Sequence, residues 1–117
     1  MGLDHVSAIL DRERVLLTRL LERVGERRRL ESTGAWASVA DDRVESVLEE
    51  LRHVELLRAI EVEVVAAELG MEAGPSLAQL AEAAPAPLDQ QLRDQRAALL
   101  GLATRLRQTT VAEVRGR

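Results

Sequence analysis

A chain of 117 residues without cysteine is held by neither disulfides nor thiolate-bound metal, and its length suits one domain with its own core. Aromatic residues make up 1% and hydrophobic residues 46%, so that core must be Leu, Val, Ile and Ala, which fits narrow seams between helices. A net charge of −4 and a pI near 5.2 argue against a nucleic-acid binder with a basic face, and no apolar run is long enough to cross a bilayer.

The first segment, about 4–31, sets Val6, Ile9, Leu10, Leu16, Leu17, Leu20, Leu21 and Val24 on one broad stripe at helical spacing. Asp4 is placed to cap its start. Arg27, Arg28 and Arg29 fall near its end, where the helix dipole favours positive charge. The opening MGLDHVSAILDRER has neither the basic start nor the apolar run of a signal peptide, so the expected location is the cytoplasm. Ser32, Thr33 and Gly34 predict a turn, and a connection this short folds the next helix back antiparallel.

The second helix is predicted over about 35–69. Its main stretch, VADDRVESVLEELRHVELLRAIEVEVVAAEL, runs roughly 31 residues without Gly or Pro, against about 11 for a typical helix. At 1.5 Å per residue it spans about 45 Å, too long for the core of a round domain. Its stripe is Ala40, Val44, Val47, Leu48, Leu51, Val54, Leu57, Val62, Val65 and Leu69. The piece AIEVEVV alternates like a strand, but helical pattern on both sides and no turn signal make it helix. Around Ile60, Val62, Val64 and Val65 the apolar surface widens, which predicts cover on more than one side. Gly70 is a natural left-handed stop with Met71 placed for the hydrophobic contact after it.

A structured connector follows. Gly74-Pro75 makes a turn, Ser76 and Gln79 have the spacing of a capping box, and Leu77, Leu80 and Ala81 give a short helix over 77–83. Pro85 and Pro87 bracket a redirection, with Pro87 suited to the first turn of a last helix over 88–114. That helix carries Leu88, Leu92, Leu99, Leu102, Ala103, Leu106 and Val114 on one face. Gly101, Thr109 and Thr110 make it the weakest of the three long helices.

These elements predict an all-α fold: one domain over 1–117, an elongated antiparallel bundle of three long helices with a short helical connector between the second and third. Charge agrees. From Asp41 to Glu72 ten acidic residues face three arginines, while from Leu88 onward six arginines face three acids. Catalytic signals are missing. Glu50 and His53 have an ExxH spacing, but a di-iron site needs a second such pair and two more carboxylates, so no metal and no cofactor are expected. His53 reads as a rim residue and Trp36 as a plug over the first turn. The arginines at 27–29 read as a dipole-complementing helix end rather than an anion site.

The ordered series AAELGMEAGPSLAQLAEAAPAPL from Ala66, preceded by VESVLEELRHVELLRAIEVEVVA and by WASVADDRVESV, resembles the central helix and connector of FlgN-like proteins from actinobacteria. The similarity covers about residues 8 to 107. It implies a flagellar type III export chaperone, a cytoplasmic helical bundle that holds hook–filament junction (hook-associated) proteins before secretion. The client supplies an amphipathic C-terminal helix, and the chaperone's last helical region receives it. Carried onto this chain, the partner-binding residues are Leu92, Leu99, Leu102 and Leu106, with Leu88 and Val114 at the margins. Here the last helix ends close to the final residue, where many relatives extend further, and Leu88 stands where an aromatic is common. Export-gate components and a second copy of the chain stay open as partners.

Two other functions fit the same residues. A helical coiled-coil adaptor or dimerisation protein without a secretion role shares every feature except the connector series. An all-helical mutase of the chorismate mutase type also has an Arg-rich leucine helix, but it draws a Lys into its site and this chain has none. The expectation is therefore a protein that is not an enzyme.

Overall fold

The computed structural model describes the backbone of residues 2–33 and 37–115, and the side chains of residues 2–31 and 39–109. The described residues form four helices: α1 (Gly2–Thr33), α2 (Ala37–Glu68), α3 (Leu77–Ala83) and α4 (Leu88–Arg115). They form a body of 54 × 22 × 22 Å, with no strand among the described residues. The alternating AIEVEVV piece is helical, as its flanks required. Ser32 and Thr33, expected in the first turn, continue α1 instead, while Gly34, Ala35 and Trp36 lie outside the described residues, and with them the rest of that turn and the expected plug.

The local signals around the connector act as their chemistry dictates. Gly70 takes φ 70°, the Gly70 amide bonds Ala67 O at 3.2 Å and the Met71 amide bonds Ala66 O at 2.8 Å. That pair of bonds is a Schellman end, and Met71 packs onto the core beneath it. Ser76 Oγ accepts from the Gln79 amide at 3.1 Å while Gln79 Oε1 accepts from the Ser76 amide at 2.8 Å, a complete capping box. Glu63 Oε1 accepts from the Gly74 amide at 2.7 Å and ties the connector to α2. Elsewhere the helix ends shift. α1 begins at Gly2, so Asp4 sits in its first turn rather than at its cap, and α1 continues to Thr33, leaving no basic residue in its last turn. Arg27 instead reaches Glu31 and, across to α2, Asp41 at 3.8 Å.

Ion pairs fix the direction of packing. Arg27 meets Asp41, Glu26 meets Arg43 at 3.5 Å, Arg19 meets Glu50 at 4.0 Å, Glu13 meets Arg58 at 2.8 Å and His5 meets Glu61 at 3.5 Å. As the number falls in α1 it rises in α2, so the two helices run antiparallel. α4 runs along α1 in the same direction: Ser7 bonds Gln91 and Gln95, while Gly25 and Arg28 line one groove with Gln108 and Thr109. Both α2 and α4 pack on α1, and α2 has no comparable packing against α4. The acidic helix is thus not the central one. α1 takes that place because it carries two usable faces, a leucine stripe toward α2 and the Ser7–Asp11 edge toward α4.

The apolar interior divides in two. One core gathers all four helices: Leu3, Val6 and Leu10 of α1, Val62 and Val65 of α2, Leu80 and Ala81 of α3, Ala84, and Leu92 of α4. The other joins Leu16, Leu20 and Val24 of α1 to Val44, Val47, Leu51 and Val54 of α2, with Leu106 of α4 packed against it. Between them lies a charged layer. Heptad spacing from Leu3, Val6 and Leu10 puts Glu13 inward, and Val47, Leu51 and Val54 do the same for Arg58. The Glu13 side chain is 5% exposed and that of Arg58 30%.

Candidate partner-binding surfaces

The leucines expected to receive a partner sit along the α1 side of α4. Leu92 is fully buried in the four-helix core, with Leu88 and Leu99 half-buried against it. Leu102 is buried, and Leu106 is half-buried against the second core. Val114 belongs to α4 by its backbone, but its side chain lies outside the described residues. One face therefore carries the five leucines, and that face is turned inward.

Polar groups set the register of this seam. Gln91 Nε2 donates to Ser7 Oγ at 2.7 Å, and Gln95 Nε2 lies 3.0 Å from both Ser7 O and Ser7 Oγ and 2.9 Å from Asp11 Oδ1. Gln95 is 6% exposed, and its Oε1 is buried without a hydrogen bond. Such a cluster specifies one alignment of two helices more strictly than leucines alone. Beyond it the seam loosens into a groove of about 660 Å³ lined by Thr18, Leu21, Glu22, Gly25, Arg28 and Arg29 of α1 and Arg105, Gln108 and Thr109 of α4. The described part of this distal half thus borders α1 with an open cleft beside it, and Leu106 reaches the second core.

α2 presents a second surface that the sequence did not single out. Leu56 is 61% exposed, Ile60 55% and Val64 46%, with Leu57 beside them at 37%. The widened apolar surface of α2 was expected to be covered on more than one side; instead only Val62 and Val65 are covered, and Ile60 and Val64 face outward. Leu57 and Leu69 leave the predicted buried stripe for a related reason. Arg58 occupies the inward position opposite Glu13, which rotates Leu57 outward, and Leu69 lies past the last residue of α2.

Chemistry-bearing side chains do not converge. Among the described residues no three His, Cys, Asp or Glu side chains gather where they could hold a metal ion. Glu50 of the ExxH pair reaches Arg19, and His53 is exposed. Glu13 has a displaced acidity. Burial pushes its carboxyl above the usual 4.5, Arg58 pulls it back and Glu55 pushes it up again. It faces α2 inside the bundle rather than a cleft. The sequence reading missed Glu13, Arg58, Ser7 and Gln95. For Glu13, Arg58 and Gln95 the signal was heptad position, which periodicity arguments discard when the residue there is polar; Ser7, one position past Val6, carried no such signal. No helix among the described residues is long and apolar enough to cross a membrane. No family model, no curated protein and no solved structure matches the chain.

Proposed function

We propose that the chain is a non-enzymatic export chaperone of the FlgN-like type, acting in the cytoplasm on hook–filament junction proteins. It is an elongated antiparallel bundle of three long helices in a single domain, α3 serving as the connector. The client's amphipathic helix is held by the α4 stripe of Leu88, Leu92, Leu99, Leu102, Leu106 and Val114, which keeps it from self-associating before secretion. The observation that carries this reading is the uneven seating of α4. Leu88 and Leu92 anchor its start in the four-helix core, while its distal half has α1 on one side and an open groove on the other.

That arrangement divides the work within the stripe. Leu88 and Leu92 hold α4 to the bundle, and a client helix reaches Leu102, Leu106 and the half-buried Leu99, which also touches the four-helix core, by prising the distal half outward beside the groove. Each fully buried leucine contributes roughly 1.5–3 kcal/mol, so three support a reversible complex once ordering costs are subtracted. Helix-in-groove recognition of this kind reads anchors at helical spacing and requires no catalytic group.

Calorimetric titration with the C-terminal segment of a hook–filament junction protein tests the reading. One-to-one binding at micromolar strength or tighter supports it, provided Leu106→Asp abolishes binding while helicity persists by circular dichroism. A folded wild-type protein that gives no heat leaves a helical adaptor without a secretion role as the better description.

A further inference from the structure

From the outer face of α2 we infer a second docking surface, for an amphipathic helix of another protein whose apolar stripe is flanked by Arg or Lys. It is independent of the α4 leucines and does not rest on the export reading. Leu56, Ile60 and Val64 follow one another at four-residue steps and Leu57 fills the edge, so the patch runs about 12 Å along the helix, on the side away from α1. Other large exposed apolar groups of the long helices, such as Val15 in α1 and Leu100 in α4, are isolated.

Charge selects the occupant. At 100° per residue, Glu50, Glu61 and Glu68 border the patch on one side and Glu63 on the other, while Glu49 lies in line with it toward the start of α2. Glu49 and Glu68 have no ion-pair partner among the described residues. The arginines of α2 are already engaged, Arg43 by Glu26, Arg52 by Glu45 and Arg58 by Glu13. A second copy of the chain docking patch to patch would set these carboxylates against one another. A membrane surface carrying anionic lipid is repelled by the same carboxylates. A helix with apolar anchors at i, i+4 and i+8 and cationic flanks satisfies both features at once. The flanking pairs add specificity and salt sensitivity more than affinity.

The test uses the full-length ¹⁵N-labelled protein and a synthetic amphipathic peptide of about six turns, with leucines on one stripe and arginines beside it. The expected result is saturable one-to-one binding with amide shifts centred on Leu56 to Val64. Binding should weaken about tenfold or more in Ile60→Asp, an exposed position where the substitution leaves the helices intact. It should weaken similarly when glutamates replace the peptide's arginines. Absence of saturable binding overturns the inference, as does equal affinity for the glutamate-flanked peptide. So does a shift pattern confined to the α1–α4 groove, which would place the peptide on the other surface. Dimerisation of the free protein that Ile60→Asp abolishes overturns it in favour of a second copy. Uptake by phosphatidylglycerol vesicles that Ile60→Asp abolishes overturns it in favour of a membrane. Failure of the junction-protein titration leaves this result untouched, because that experiment reads the α4 stripe.

Discussion

Glu13 and Arg58 occupy positions that heptad spacing reserves for leucine, and the consequence is chemical as well as geometric. A buried carboxylate held only by one neighbouring cation depends on that cation more than the pair as a whole adds to stability. Replacing Arg58 by Met keeps the stem and removes the charge, and should cost roughly 3 kcal/mol at pH 7 by denaturant unfolding. The sign of the pH dependence follows from the raised pKa of Glu13. The folded state binds the Glu13 proton more tightly than the unfolded state does. The stability this provides is complete below the ordinary value near 4.5 and is lost as pH rises through the folded value. Removing Arg58 takes away the influence that lowers it, so the deficit of Arg58→Met should shrink as pH falls toward 4. Glu13→Gln, which cannot ionise, should show no such slope, and the double variant should recover most of the loss. A deficit independent of pH would show that Arg58 acts through its aliphatic stem instead.

Among the helices, α4 is the one whose intrinsic preference and tertiary support both decline along its length. Gly101 sits mid-helix on the exposed side, and a methyl group added there meets nothing within 4 Å. Gly101→Ala should therefore raise stability by about 0.5–1 kcal/mol in a thermal or denaturant melt, since it removes unfolded-state freedom without a clash. Should the variant also bind a client helix more weakly, pliancy of α4 is part of reception; unchanged binding assigns reception to the groove as it stands. What the sequence revealed about such elements tracks how local the physics is. The Gly70 stop, the Ser76–Gln79 box and the limits of α3 depend on neighbours a few residues away, and they stand where spacing put them. The orientation of α2 does not. With Leu56, Leu57, Ile60, Val62, Val64 and Val65 spread around most of the helix, apolarity no longer says which side is inside. The choice is made by Arg58, whose partner Glu13 is 45 residues away in the chain.

The two cores joined by a charged layer give the molecule a gradient of cohesion from end to end. Where all four helices meet, no one helix can leave without opening the others, so opening there is expected to be global. At the far end α1 and α2 close on each other and, among the described residues, α4 adds Leu106. Regions with few buried apolar contacts open locally at lower cost than the whole molecule unfolds. Native-state hydrogen exchange should show this as three groups of amides. Those of Val6 to Leu10 and Leu92 to Gln95 should exchange only by global unfolding, with the full denaturant dependence. Those between Leu16 and Val24 should follow closely, because the α1–α2 seam is continuous on both sides of the Glu13–Arg58 layer. Amides of α4 beyond Leu102 should exchange through a smaller opening that denaturant barely accelerates. A uniform protection along α4 would mean that the polar cluster at Ser7 and Gln95 holds the whole helix to α1. Entry of a client helix would then depend on the width of the existing groove and not on any displacement of α4.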